Sequence, residues 1–196
     1  MTSDVAVVIL AGGQGTRIGG RKPLRFLGGE RLIDLALVMA RQWSDCVAVS
    51  VRNPLQLGTI AVPVILDPAE VEGPLSGLVA GLHFARDTGR RLLLTIPADM
   101  PFLPEDLLER LSRQIDNQGC AVAASGDELH PVCALWDVTR SLERLDAYLA
   151  SGRRSLKGFA EIIGSARIDW PGEPEDPFFN VNDLDDLAKA ERRSGD

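Results

Sequence analysis

Short apolar runs alternating with spans of helical spacing limit what this chain can fold into more than any other feature. Val5–Leu10 is a continuous valine-rich run closed by glycines, the pattern of a strand buried on both faces. Residues 32–43 keep apolar side chains at helical spacing, 46–51 read as a second strand, and 62–66 as a third ending at Asp67. Residues 74–87 read as a helix with small residues on one side, and 91–99 as a fourth strand ending at Asp99. Residues 104–115 read as a helix with Pro104 in its first turn and Glu105 and Asp106 near its positive end. Such alternation predicts an α/β fold, a mostly parallel sheet with helices on both faces. Right-handed crossovers then bring the strand C-termini to one edge, where open α/β sheets bind ligands. Asp67, Asp99 and the glycine loop after Leu10 all fall at that edge.

The last third is less regular. Residues 120–124 and 130–136 look like strands, and 139–150 and 155–164 like helices. A proline- and acid-rich loop over 171–177 leads to "FFNVN" (178–182) and a short final helix from about Asp183. No repeat or linker interrupts the 196 residues, so a single domain is expected over 1–196.

Charge narrows the function. The net charge of −7 argues against general nucleic-acid binding. Against that background, residues 12–31 gather Arg17, Arg21, Lys22, Arg25 and Arg31 with one acid, Glu30. Cys46, Cys120 and Cys133 are odd in number and far apart, which predicts reduced cysteines in or near the core. The "MTSD" start lacks a basic n-region, and no apolar run is long enough to span a membrane; a cytoplasmic protein is expected.

The stretch "LAGGQGTRIGGRK" (10–22) follows a strand, and its glycines let backbone N–H groups converge on an anion. It is no Walker A loop, since Arg21 precedes Lys22 and Pro23 follows; it is no dinucleotide fingerprint, since Ile18 stands where a glycine is needed. In "TIPADMPFL" (95–103), Pro97 and Pro101 fix the backbone around Asp99, whose carboxylate suits Mg²⁺. Taken alone, Asp99 or Asp67 reads first as a cap or turn residue. Two acids facing a basic glycine loop point to a metal–triphosphate site. His130 precedes Pro131 at a strand start, where its side chain would face the cleft, whereas His83 lies mid-helix and reads as structural. In "FFNVN" the alternation puts Phe179 and Val181 on one side, Asn180 and Asn182 on the other; the amides either contact a ligand or form a turn and cap. "SGRRSLKGF" (151–159) is a solvated basic face or a second phosphate site.

These stretches together resemble the nucleotidyltransferases, and within them the molybdenum cofactor guanylyltransferases. The opening loop resembles LAGGxSxRMGxxK. "GPLSG" (73–77), "PADMP" (97–101), "HPVCAL" (130–135), "SGRRSL" (151–156) and "FFNVN" resemble the family's remaining motifs in order. Gln14-Gly15 and Ile18 depart from the usual loop, and "SVRN" (50–53) leaves open which residue takes the place of the Asn that often ends the family's second strand.

The resemblance implies a Rossmann-like three-layer α/β/α fold. It also implies Mg²⁺-dependent transfer of GMP from GTP to Mo-molybdopterin, with pyrophosphate released. A nucleotide-binding half would span about 1–116 and a pterin half about 117–196. Leu10, Ala11 and Gly12 would line the guanine pocket, with Gly13, Gly15 and Gly77 also at the nucleotide. Lys22 would contact the phosphates, Arg17 steady the pyrophosphate, Asp67 help hold the nucleotide and Asp99 bind Mg²⁺. His130, Arg153, Asn180 and Asn182 would lie on the pterin side. Apo-molybdoenzymes or their chaperones would be protein partners. The alternative is a cytidylyltransferase, whose usual LAAG contrasts with Leu10-Ala11-Gly12-Gly13 here. Gly12 favours guanine, on the idea that a small residue leaves room for a purine. A non-catalytic nucleotide-binding regulator and a dinucleotide oxidoreductase are the more distant rivals.

Overall fold

The computed structural model describes residues 4–12 and 22–195. The six-residue run Val5–Leu10 forms β1, with Ala6, Val7, Val8 and Ile9 fully buried. The other strands are β2 (Phe26–Leu27), β3 (Glu30–Arg31), β4 (Cys46–Val51), β5 (Val64–Leu66), β6 (Leu92–Pro97), β7 (Cys120–Ser125), β8 (Glu128–Asp137) and β9 (Ser165–Trp170). The helices are α1 (Leu32–Trp43), α2 (Pro74–Asp87), α3 (Leu107–Ser112), α4 (Val138–Ala150), α5 (Leu156–Ile163) and α6 (Leu184–Ser194). Seven strands make one sheet in the order β5-β4-β1-β6-β8-β7-β9, while β2 and β3 form a separate hairpin closed by Gly28 and Gly29, both at positive φ.

The sheet is parallel from β5 through β4 and β1 to β6. As the mostly parallel expectation allows, β8 runs antiparallel to both β6 and β7, so that its N-terminal end meets the binding edge; β9 is again parallel to β7. Alternation along β1 sends Val5, Val7 and Ile9 to a core shared with α1 and α3, and Ala6 and Val8 to a core shared with α2, α4 and α5. That is the three-layer arrangement. On the second face the helix sits close: a Cβ at Gly81 of α2 would come within 3.1–3.4 Å of Leu93 and Val8, which explains the small residues on that side. The buried Trp136 indole is satisfied by donating to Thr95 Oγ1 at 2.9 Å.

Helix boundaries follow capping chemistry. Asp137, Ser155 and Asp183 each accept a backbone N–H from the first turn of the helix they precede. The span expected to begin at Pro104 opens instead with a turn closed by Leu107 N donating to Pro104 O at 3.0 Å, and α3 starts at Leu107. Cys120 and Cys133 are free and buried, as expected, and burial pushes the Cys120 thiol up to about 12, so neither is a nucleophile in waiting. Among the described residues no helix is long and apolar enough to cross a membrane.

Candidate active site

The parallel ladder delivers several strand ends to one place. Past Leu10, Ala11 N donates to Ser50 O at 2.9 Å, and Ala98 N donates to Leu10 O at 3.1 Å, so β1, β4 and β6 stay aligned as they leave the sheet. At their C-terminal edge lies a cleft of about 470 Å³, within the range of small-molecule sites. Leu10, Gly12, Ser50, Asp67, Gly77 and Asp99 line it from the first half of the sheet, and Val132 and Asn180 from the second.

Asp67 is the best-anchored group there. Its amide donates to Val51 O at 2.9 Å; its carboxylate accepts from the buried Ser50 hydroxyl on Oδ1 and from Ser76 Oγ at 3.2 Å on Oδ2. Two glycines make room for this. A Cβ at Gly12 would overlap Asp67 Oδ2, and a Cβ at Gly77 would lie 2.7 Å from Leu10 Cδ2 and 3.0 Å from Ser50 Oγ. Gly12 is therefore small because the Asp67 carboxylate presses against its backbone.

Asp99 sits in the turn after β6, half-buried and lining the cleft. The FFNVN segment is anchored to that turn, with Val181 N donating to Asp99 O at 2.9 Å. The segment alternates as expected without joining a sheet. Phe179 and Val181 pack into a small core with Leu27 and Leu32, and Asn180 lines the cleft. Asn182 is exposed and is not among the lining residues; its side-chain amide donates to Asn180 O at 3.5 Å.

The remaining expected site residues are placed as follows. Leu10, Gly12, Asp67, Gly77, Asp99 and Asn180 converge in the cleft. Ala11 is buried in the core beside it. Gly13, Gly15 and Arg17 lie outside the described residues, as does the Lys22 side chain; the Lys22 backbone opens a 3₁₀ turn over Lys22–Leu24. Arg153 is exposed in the loop between α4 and α5, away from the cleft lining.

His130 does not face the cleft, and this corrects the sequence reading. The pairing of β8 with β7 jumps from Ala134↔Val122 to His130↔Ala123, leaving Pro131, Val132 and Cys133 as a bulge. The bulge puts Val132 at the cleft and His130 into the interior, 5% exposed, with Nε2 2.8 Å from Ser125 Oγ and the ring stacked on Phe178. Burial holds its pKa below the ordinary histidine value; Arg167 pushes the same way, and Glu128 and Asp176 oppose.

Sequence reasoning missed Arg52 and left Ser50 undecided. Arg52 lines the cleft with its guanidinium donating to Val71 O at 2.8 Å. Of the two residues that "SVRN" left open, Ser50 near the end of β4 lines the cleft and donates to Asp67, while Asn53 caps a 3₁₀ turn by accepting from Leu55 N. The signal for both was their position at a strand end beside the ligand edge.

The donor set suits a divalent cation held largely by its ligand. Among the described residues no three His, Cys, Asp or Glu side chains cluster as a protein-only cage. Asp99 is one of three carboxylates lining the cleft, with Asp67 and Glu72, and a single one of them suits Mg²⁺, an ion commonly bound by one or two carboxylates plus phosphate and water oxygens.

Comparison with known proteins agrees with this picture. Residues 7–163 match the MobA-like NTP transferase domain. A molybdenum cofactor guanylyltransferase of Rhodopseudomonas palustris (strain HaA2) is 44% identical over 193 residues, covering 94% of this chain and 89% of the relative. One from Cereibacter sphaeroides is 40% identical, covering 94% of each. The crystal structure of molybdopterin-guanine dinucleotide biosynthesis protein A from Archaeoglobus fulgidus superimposes with a TM-score of 0.79 over 97% of this chain and 98% of that one. At 23% identity that likeness speaks for the fold.

Proposed function

The chain belongs to the MobA-like NTP transferase family, among the molybdenum cofactor guanylyltransferases, and from that premise we propose how its cleft transfers GMP from GTP to molybdopterin. The observation that carries the reading is the convergence of Leu10, Gly12, Asp67, Gly77, Asp99 and Asn180, drawn from across the chain, in one cleft at the C-terminal edge of the sheet. The base would occupy the Leu10, Gly12 and Gly77 end, with Asp67 oriented by Ser50 and Ser76. A carboxylate with its hydrogen bonds already set can accept from ligand N–H or O–H groups without reorganising.

The terminal phosphate of molybdopterin attacks the α-phosphorus of GTP. A P–O bond forms there, the bond to the bridging oxygen breaks, and pyrophosphate leaves with the electron pair. A phosphate monoester is largely ionised at neutral pH, so the attacking oxygen needs no strong base. The protein's task is to align two anions and offset their charge. Asp99 would hold Mg²⁺, which when bound neutralises triphosphate charge and favours departure of pyrophosphate. Lys22 would contact the phosphates, Arg17 the leaving group, and Gly13 and Gly15 the triphosphate through their backbone. Asn180 would meet the acceptor, and Arg153, exposed between α4 and α5, would lie outside the cleft lining on the acceptor side. The nucleotide half is then about 1–116 and the acceptor half about 117–196, both built on one sheet. The reaction is assigned to the cytoplasm, with apo-molybdoenzymes or their chaperones receiving the product.

The test is turnover with molybdopterin and Mg²⁺, offering GTP or CTP and following pyrophosphate release and nucleotide incorporation. GTP-selective release supports the reading. Equal or better use of CTP moves the chain to cytidylyl transfer, and no turnover with either nucleotide refutes it.

A further inference from the structure

His130 is a buried ring that the proposed reaction leaves idle, and its surroundings are unusually well defined. Its plane lies 18° from that of Phe178, with centroids 4.6 Å apart, and its Nε2 pairs with Ser125 Oγ at 2.8 Å. On another side of Phe178 stands Trp170, edge-on at 5.4 Å and 75°. Trp170 is itself fixed: its indole N–H donates to Asp106 Oδ1 at 2.9 Å, and the Arg110 guanidinium lies 4.1 Å over its ring. Phe178, only 2% exposed, is thus held between rings from β8 and β9.

Three residues further along, Val181 is tied to the Asp99 carbonyl. Asn180, which lines the cleft, lies between these two points along the chain. The first point is also tied through its backbone, Phe178 N donating to Asp176 Oδ1 at 2.8 Å and Phe179 N to Asp176 O at 3.3 Å; what those bonds leave open is the orientation of the aromatic plane. A tilt of that plane is carried along the short run from 178 to Asn180, because the Val181 end is held to the Asp99 turn.

We infer that His130 is a positioning residue: stacked on Phe178, it fixes the strap over 178–182 that presents Asn180 to the cleft. The consequence for catalysis rests on the reading of Asn180 as an acceptor contact; the mechanical link to Asn180 does not.

The test compares two double variants, His130→Phe with Ser125→Ala and His130→Leu with Ser125→Ala. Both remove the same hydrogen-bonded pair and keep an apolar group of fair size, so both leave the core filled; they differ in whether a flat ring faces Phe178. The first readout is the side-chain amide resonance of Asn180, identified by its loss in Asn180→Ala. The second is KM for molybdopterin against KM for GTP. The Phe pair should keep the wild-type resonance. The Leu pair should shift or broaden it and lower kcat/KM for the acceptor about ten-fold, with KM for GTP unchanged, within the range known for ångström-scale misplacement. An Asn180 resonance that is the same in the Leu and Phe pairs overturns the inference, as does a parallel loss in both substrates' parameters. If Asn180→Ala leaves the acceptor KM unchanged, the acceptor reading of Asn180 fails, and the resonance comparison still decides the positioning role.

Discussion

Replacing Gly12 by alanine tests the core of the nucleotide site. The new Cβ would fall on Asp67 Oδ2, well inside the 3.0 Å that real Cβ atoms respect. Backbone retreat is resisted by the Ala11 N–H bond to Ser50 O at 2.9 Å, while the Arg52 amide, 3.7 Å from the same Cβ position, is in ordinary contact. The carboxylate must therefore withdraw by several tenths of an ångström, which pulls it off the Ser50 and Ser76 hydroxyls. A hydrogen bond to a charged group is worth roughly 1.5–3 kcal/mol. Losing most of one such bond predicts that GTP binding weakens about ten-fold or more, since each 1.4 kcal/mol is a factor of about ten. Calorimetric titration of GTP and CTP into wild type, Gly12→Ala, Asp67→Ala and the double variant measures this. Once Asp67 is alanine there is no carboxylate to displace, so the Gly12 substitution should then add less than about 0.5 kcal/mol. Full additivity of the two substitutions, or an unchanged GTP affinity in Gly12→Ala, refutes the argument that Gly12 acts through Asp67.

Further outcomes follow from the same geometry. Asp99→Asn keeps shape and removes charge; it should abolish the Mg²⁺ dependence of GTP binding and cut turnover about 10²-fold or more, and a variant titration still sensitive to Mg²⁺ would sink the assignment. Asn180→Ala should raise KM for molybdopterin about ten-fold with KM for GTP held, while Asn182→Ala, exposed and outside the lining, should give a smaller rise; the reverse order refutes the strap geometry. His130 predicts an acid limb in stability. Its folded-state pKa is lowered, so its contribution is complete above the unfolded value of about 6.5 and is lost as pH falls from there towards the folded value, at up to about 1.4 kcal/mol per pH unit. The facing charges, Glu128 on its own strand, Asp176 in the preceding loop and Arg167 on β9, set how far that limb extends. Urea unfolding between pH 5.5 and 7.5 should show a shallower slope for the His130→Phe, Ser125→Ala pair than for wild type; equal slopes would show that His130 does not titrate on unfolding.

Elements whose pattern reports two-sided burial were legible from residues alone. Val5–Leu10, Cys46–Val51, α1 and α2 stand where spacing put them, because continuous apolar runs and helical stripes are direct images of the core they contact. β9 was not legible. "SARIDW" is an edge strand with one neighbour, its residues mostly exposed or half-buried and two of them charged, so its hydrophobic signal is weak. The β2–β3 hairpin was readable in principle from Gly28-Gly29 between short strands. The bulge at 131–133 was beyond sequence pattern, since period-two reasoning assumes an unbroken register, and one skipped segment reverses where His130 and Val132 point. In the site, residues with chemically loud side chains, Asp67, Asp99 and Asn180, were found. Ser50 was not, because its role is to hold another residue's carboxylate and exists only once β4 and β5 lie side by side.

A strap from the far end of the chain completes a cleft lined mostly by the first hundred residues. The turn after β6 has two jobs. Its Asp99 side chain faces the cleft, and its Asp99 carbonyl receives the Val181 amide. One residue thus ties the proposed metal carboxylate to the proposed acceptor contact, Asn180, one residue of strap away. For an in-line displacement between two anions, the barrier depends on holding attacking oxygen and phosphorus together more than on any one strong contact. A shared backbone anchor fixes that relation with fewer independent degrees of freedom than two separate loops would. It follows that a change loosening the strap should penalise kcat/KM for the acceptor without touching GTP affinity, whereas a change that moves the Asp99 turn itself should penalise both.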